Sequence, residues 1–261
     1  VTNLPTHRTI VVVDVVSFTR PDRDNTDQLA IRAAMYETLR AAFQDSGIPW
    51  RRCLHEDRGD GVLIFVPADV SKVLLVGPVP ARLAELLDAG NVLRPPRQRF
   101  RMRMVVHAGE VHRDPHGYAG YDVNMAFRLV DAGPLRAAMD DSQAAVGLIV
   151  SEGVYQGIVR HGYSGLDPRA YQRVRVQVKT ADVPGWIRLV GDDVPRVPAQ
   201  REPAAGESVH KGTIAVLLSE DSASIEDLRR LGIEAVVLVR GVADLASIAR
   251  LPIYIEGELI E

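Results

Sequence analysis

The chain contains one cysteine, Cys53, in 261 residues, so an internal disulfide framework is excluded and a reducing compartment is expected. Aromatic residues make up only 5%, too few for an obvious base-stacking platform. No stretch approaches the ~18 consecutive apolar residues of a membrane span, so no membrane contact is expected. An excess of basic charge is also missing. With 31 Lys and Arg against 34 Asp and Glu, the net charge is −3, which removes the positive field that non-specific nucleic-acid binding relies on. The opening stretch, VTNLPTHRTIVVVDVV, lacks the basic-then-apolar order and small-residue cleavage site of a secretory leader, and the expected location is cytoplasmic. What is present, 46% hydrophobic and 25% charged residues, describes an ordinary globular protein that can bury a sizeable core.

One break in composition divides the chain. Residues 192–211, DDVPRVPAQREPAAGESVHK, have no apolar periodicity and contain Pro195, Pro198 and Pro203, as an extended linker would. It separates a body, 1–191, from a tail, 212–261. In the body, Thr9–Val16 is a β-branched run that predicts a buried strand. Over 26–46 the apolar residues Leu29, Ala33, Tyr36, Leu39 and Phe43 recur at helical spacing, and Gly47 supplies the stop. Trp50–His55 and Val62–Val66 read as strands joined by the turn EDRGDG. A helix over 79–90, a loop over 94–99, a strand over Arg101–Ala108 and a helix over Val123–Met139 follow. Strands are expected at Gly147–Val150 and Tyr171–Val178, around a short helix near 151–160. The order β-α-β-β-α-β is that of an α+β, ferredoxin-like unit. In the tail, strands at Thr213–Leu218, Ala235–Val239 and Pro252–Glu256 alternate with helices at Ser224–Leu231 and Val242–Arg250, a small parallel βαβαβ unit. So few residues bury too little surface to be secure alone, and the tail is expected to dock onto the body or another protomer.

Two constellations carry possible chemistry. Asp14 lies inside VVVDVV, where an acid is costly to bury without a partner such as a metal ion. Asp60 sits at the hairpin tip between Gly59 and Gly61. Two carboxylates on adjacent strands suit Mg2+, which takes hard oxygen ligands shared with substrate phosphates. Read singly, Asp14 is equally a strand-end acid and Asp60 a turn acid. In GYDVNMAFRL, Asn124 and Arg128 are four apart and share a helix face. An amide beside a guanidinium suits a polyanion, and equally an ordinary solvated face. His107, His112 and His116 lack the ligand set of a zinc site, since His107 belongs to a strand and the others to a polar turn. Arg97, Arg99, Arg101 and Arg103 alternate as one solvated face would, and Cys53 reads as a small buried hydrophobe. In the tail, SEDS at 219–222 lies where small α/β units bind ligands, without a glycine-rich fingerprint.

Taken together, TIVVVDVVSFT, RGDGVLIF, RMRMVVHAGEV and GYDVNMAFRL resemble, in order and spacing, the class III nucleotidyl (adenylate/guanylate) cyclase catalytic domain, from about Arg8 to Leu189. The resemblance implies two Mg2+ or Mn2+ ions per site, held by Asp14, Asp60 and the carbonyl of Val15. It also implies a ribose-orienting role for Asn124 and a transition-state role for Arg128. The implied substrate-binding set is Phe18, Thr19, Glu56, Gly59 and Lys179, with helix amides after Ser17–Phe18–Thr19 facing the phosphates. The partners implied are a nucleoside triphosphate and a second copy of the chain, each active site being shared across a homodimer. Purine-specific members carry a lysine where this chain has Glu56 and an acid or its equivalent where it has Gly117. The base is thereby open, and the antiphage Pycsar-type cyclases, which make cyclic UMP or cyclic CMP, are similar in this domain. Two other readings stand beside a cyclase: a cyclase-like sensor or assembly module without turnover, and a metal-dependent phosphohydrolase that leaves the Asn–Arg turn unexplained.

Overall fold

The run THRTIVVVDV forms β1 (Thr6–Val15), the strand on which the rest of the sheet is built. β-Branched side chains suit a pleated surface, and a strand buried on both faces reads as a continuous apolar run. In the computed structural model, residues 4–178, 181–191, 214–217, 235–238 and 253–254 are described. The chain divides into two units, Val1–Pro195 and Arg196–Glu261.

In the first unit, β1 is flanked by β3 (Gly61–Pro67) and β4 (Met102–Asp114), both antiparallel to it. β2 (Leu54–Asp57) pairs with β3, and β6 (Val146–Ser151) runs parallel to β4. β7 (Gln172–Val178) and β8 (Ala181–Val190) complete the order β2-β3-β1-β4-β6-β8-β7, with β5 (Gly117–Ala119) pairing the far end of β4. The order β2-β3-β1-β4 is that of the ferredoxin-like core. β8 and β5 were not among the expected elements.

The helices cover both faces. α1 (Asn25–Asp45), α2 (Lys72–Val76), α3 (Pro78–Leu93) and α6 (Glu152–Gly157) lie with Val11, Val13 and Val15 in one apolar cluster. α4 (Tyr121–Val130) and α5 (Gly133–Asp140) lie with Ile10, Val12 and Val105 in the other.

Several expectations need correction. The buried stripe of α1 is Ile31, Met35, Leu39, Ala42 and Phe43, rotated from the expected one: Leu29 is 66% exposed. Both stripes obey helical spacing, so periodicity alone does not choose between them. Trp50–Arg52 is a single 3-10 turn, not strand; the Trp50 ring packs edge-on against Phe43, and pairing starts only at Leu54. The helix expected over Val123–Met139 is two helices, because Pro134 opens α5 and a proline interrupts the hydrogen bonding of a continuous helix. His112 lies on β4, paired with Ala119, rather than in a turn.

In the second unit, β9 (Ile214–Leu217), β10 (Ala235–Leu238) and β11 (Ile253–Tyr254) form a parallel sheet ordered β10-β9-β11. The expected linker over 192–211, both tail helices and SEDS lie outside the described residues. Among the described residues, no helix is long and apolar enough to cross a membrane.

Candidate active site

Asp14 is the penultimate residue of β1, opposite Gly61 on one side and Arg103 on the other. Residue 61 has to be small: a Cβ there would lie 2.3 Å from the Val13 carbonyl oxygen and 3.2 Å from the Asp14 Cβ. That close approach brings the hairpin tip against the end of β1, where the Val15 N–H donates to the Asp60 carbonyl at 2.9 Å. The two acids are therefore neighbours across the β1–β3 pair.

Their surroundings differ. The Asp14 carboxylate accepts from Arg103 Nε at 3.0 Å and Nη2 at 2.5 Å, with the two side chains 15% and 13% exposed. Burial pushes the Asp14 carboxyl up to about 6; Arg103 opposes this, and the charges of Asp131 and Asp60 add to it. The Asp60 side chain is exposed and makes no hydrogen bond or ion pair with another described residue. Among the described residues only Arg103 is bonded to either acid, so the Asp60 carboxylate is left without a bonded cation. Carboxylate oxygens in that condition fit a hard divalent cation. Among the described residues no group of three or more His, Cys, Asp or Glu converges on one point, so protein side chains would supply such an ion with two acids at most.

Arg103 was missed in the sequence, where the alternating arginines read as a solvated face. Arg101 donates instead to the carbonyls of Met139 and Ser142, both at 2.7 Å, and Arg103 holds Asp14. No local signal distinguishes such arginines from exposed ones, because their partners are remote in sequence.

After β1 the chain turns through Ser17, whose φ of 53° is unusual for a residue with a side chain. Arg23, only 7% exposed, holds this loop by donating to the carbonyls of Ser17 (2.7 Å), Arg97 (2.8 Å) and Arg99 (2.6 Å). Phe18 packs partly on the core and Thr19 is exposed. Phe18, Thr19, Arg32, Arg58, Gly59 and Asp60 share an open cleft of about 590 Å3. At the start of the next helix, Asp24 caps α1 by accepting from the Asp27 N–H at 2.9 Å, and the Asp27 carboxylate accepts from the Asp24 N–H at 3.4 Å, so two of the amides at that terminus are engaged by carboxylates.

Asn124 and Arg128 lie one turn apart on α4, the first exposed and the second half-buried. Neither side chain has a hydrogen-bond or ion-pair partner among the described residues. α4 is fixed at its start: the Asp122 carboxylate accepts from the Glu110 N–H at 2.8 Å and bonds His107 Nε2 at 3.1 Å. Gly109 makes room for it, since a Cβ there would fall 2.0 Å from that carboxylate. Burial holds His107 below its ordinary range. Arg128 lines a second open cleft, about 610 Å3, with Phe127, Asp131, Arg175 and Gln177, and the two clefts share no lining residue.

Glu56 accepts from Arg58 at 2.7 Å, and Arg58 also lies 5.2 Å from the Phe127 ring centroid, over its face. Gly117 faces the same carboxylate: a Cβ on it would lie 2.9 Å from Glu56 Oε1. Lys179 lies outside the described residues.

No protein-family model matches the chain, and no curated protein sequence matches it. Solved structures do. A guanylyl cyclase, Cya2, is similar with a TM-score of 0.50 at 17% identity, over 73% of this chain and 95% of that one. An adenylate/guanylate cyclase/hydrolase from Silicibacter pomeroyi is similar with a TM-score of 0.50 at 19% identity, over 71% and 97%. The chain thus has the fold of adenylate/guanylate cyclase catalytic domains.

Proposed function

We propose that the chain is a nucleotidyl cyclase, converting a nucleoside triphosphate to a 3′,5′-cyclic monophosphate and pyrophosphate. The observation that carries this reading is the backbone adjacency of Asp14 and Asp60 at the end of one strand pair, with the charge of Asp60 felt at Asp14. In the reaction the ribose 3′-hydroxyl gives its proton to solvent, its oxygen bonds to the α-phosphorus, the bond from that phosphorus to the bridging oxygen breaks, and pyrophosphate leaves. Asp14, Asp60 and the Val15 carbonyl would hold Mg2+ or Mn2+, which when bound supplies Lewis-acid activation and charge neutralisation. Asn124 orients the ribose. Arg128 meets charge that develops only in the transition state, where a preorganised donor counts most. Phe18, Thr19 and Gly59 face the triphosphate, and Glu56 stands where the base is read.

Asp60 and Arg128 line different clefts, which supports a homodimer in which one protomer brings the acids and the other brings Asn124 and Arg128. One observation favours a second reading, a nucleotide-binding module without turnover: Arg103 already holds the Asp14 carboxylate in a two-point pair.

Incubation with ATP, GTP, CTP and UTP separately, in Mn2+ and in Mg2+, with products identified by mass spectrometry, decides between them. A cyclic product that vanishes in Asp14→Ala and in Arg128→Ala supports the cyclase. Nucleotide binding without product supports the module, and a linear monophosphate supports a phosphohydrolase.

A further inference from the structure

The hairpin tip EDRGD carries four charged side chains, and three of them are engaged. Glu56 and Arg58 pair with each other at 2.7 Å. Asp57 is held from α1: Arg32 donates to it through Nη1 at 3.2 Å and Nη2 at 2.5 Å, and the Tyr36 hydroxyl donates at 2.8 Å. The same Arg32 also donates to the Gly59 carbonyl, and the Gly59 N–H donates to Asp57 at 2.7 Å. Asp60 alone of the four has no hydrogen-bond or ion-pair partner among the described residues.

Stability is a poor explanation for so many contacts at this spot. Asp57 and Arg32 are 46% and 29% exposed, and ion pairs of that exposure contribute about 0–1 kcal/mol. Their location explains them better. Gly59, at φ 84°, gives the tip conformational freedom, and the acid one residue later is useful only if it stays in place. Asp57 has a second effect. Arg32 lines the same cleft as Asp60 and feels its charge, so a guanidinium released from Asp57 has Asp60 as an alternative partner in that cleft.

We propose that Arg32, Asp57 and Tyr36 are positioning residues that hold the tip and keep Asp60 free to take a divalent cation. This rests on the reading of Asp60 as a cation ligand. The test uses the full chain, Mn2+ alone as the probe, and the loss of the free-ion electron paramagnetic resonance signal as the measure of binding. Changing a supporting residue of a metal ligand typically weakens affinity at least tenfold, and Asp57→Ala is expected to do so by about that factor. Tyr36→Phe, which keeps the ring and deletes one hydroxyl, is expected to weaken it about threefold, and it decides the matter should Asp57→Ala not fold. In an Asp60→Asn background neither change has a further effect, because a residue acting through Asp60 has nothing left to act on. If Asp60→Asn lowers Mn2+ binding while Asp57→Ala and Tyr36→Phe leave it unchanged, or if the effects simply add, the positioning role is overturned alone. If the unaltered chain binds no Mn2+, or binds it equally with Asp60→Asn, the ligand reading falls and the positioning role falls with it.

Discussion

The two faces of the central sheet are built from the same strands to different ends. On β1 and β4 one side-chain parity presents an apolar run, Val11, Val13 and Val15 with Met102, Met104 and Val106, that lies under α1 and α3. The other parity begins in the same way with Ile10, Val12 and Val105 under α4. It then carries Asp14, Arg103 and His107, each bonded to a partner that is distant in sequence. Burial on the first face is a matter of area and packing. On the second it holds Asp14 and His107 in environments that shift them, a usual property of sites that bind or react. On these two strands side-chain alternation thus sets packing on one face and buried ion pairs on the other, while the cleft of Asp60 is lined from α1.

Substitutions should respect that division. The largest effect expected is on the apolar face: Phe43→Ala removes a fully buried ring and should cost about 3–5 kcal/mol in denaturant unfolding. Turnover per folded molecule should stay close to that of the unaltered chain. A drop in turnover well beyond the loss of folded protein would break the division. On the other face, Arg128→Ala should cost about 2.7–4 kcal/mol of transition-state stabilisation, a hundred- to thousandfold in rate, with little change in the unfolding midpoint. Mixing Asp14→Ala with Arg128→Ala protein should restore part of the cyclase activity, since a mixed dimer rebuilds one intact site. Confirmed mixed dimers without recovery would contradict the shared site.

The smallest effect is in pH. The folded-state pKa of Asp14, about 6, lies above the ordinary carboxylate value, so the fold favours the protonated acid. Its contribution is fully present below about pH 4 and is lost as pH rises through 6, by roughly 3 kcal/mol at most. In metal-free protein, the stability difference between Asp14→Asn and the unaltered chain should therefore grow in favour of Asp14→Asn between pH 4 and 7. A difference constant over that range would show that Arg103 compensates the charge fully.

Much of this division was legible in the sequence, because it follows from local pattern. TIVVVDVV reads as strand, the acid within it stands out, and the glycines of RGDG mark a tip. What was not legible depends on register. Asp14 and Arg103 are 89 residues apart and meet only because β1 and β4 pair in one alignment. The buried face of α1 was misassigned for a related reason: two stripes satisfy one periodicity, and only packing chooses between them. Arg23 and Asp57 left no signal, since ordinary surface ions look the same in a string of letters.

Gly61 has no functional group, yet it behaves as a spacer of zero thickness between two strands. Any bulkier residue there would wedge the hairpin away from its neighbour and carry Asp60 with it. A saturation library at this codon should accordingly retain glycine alone, as stringently as at Asp14 itself.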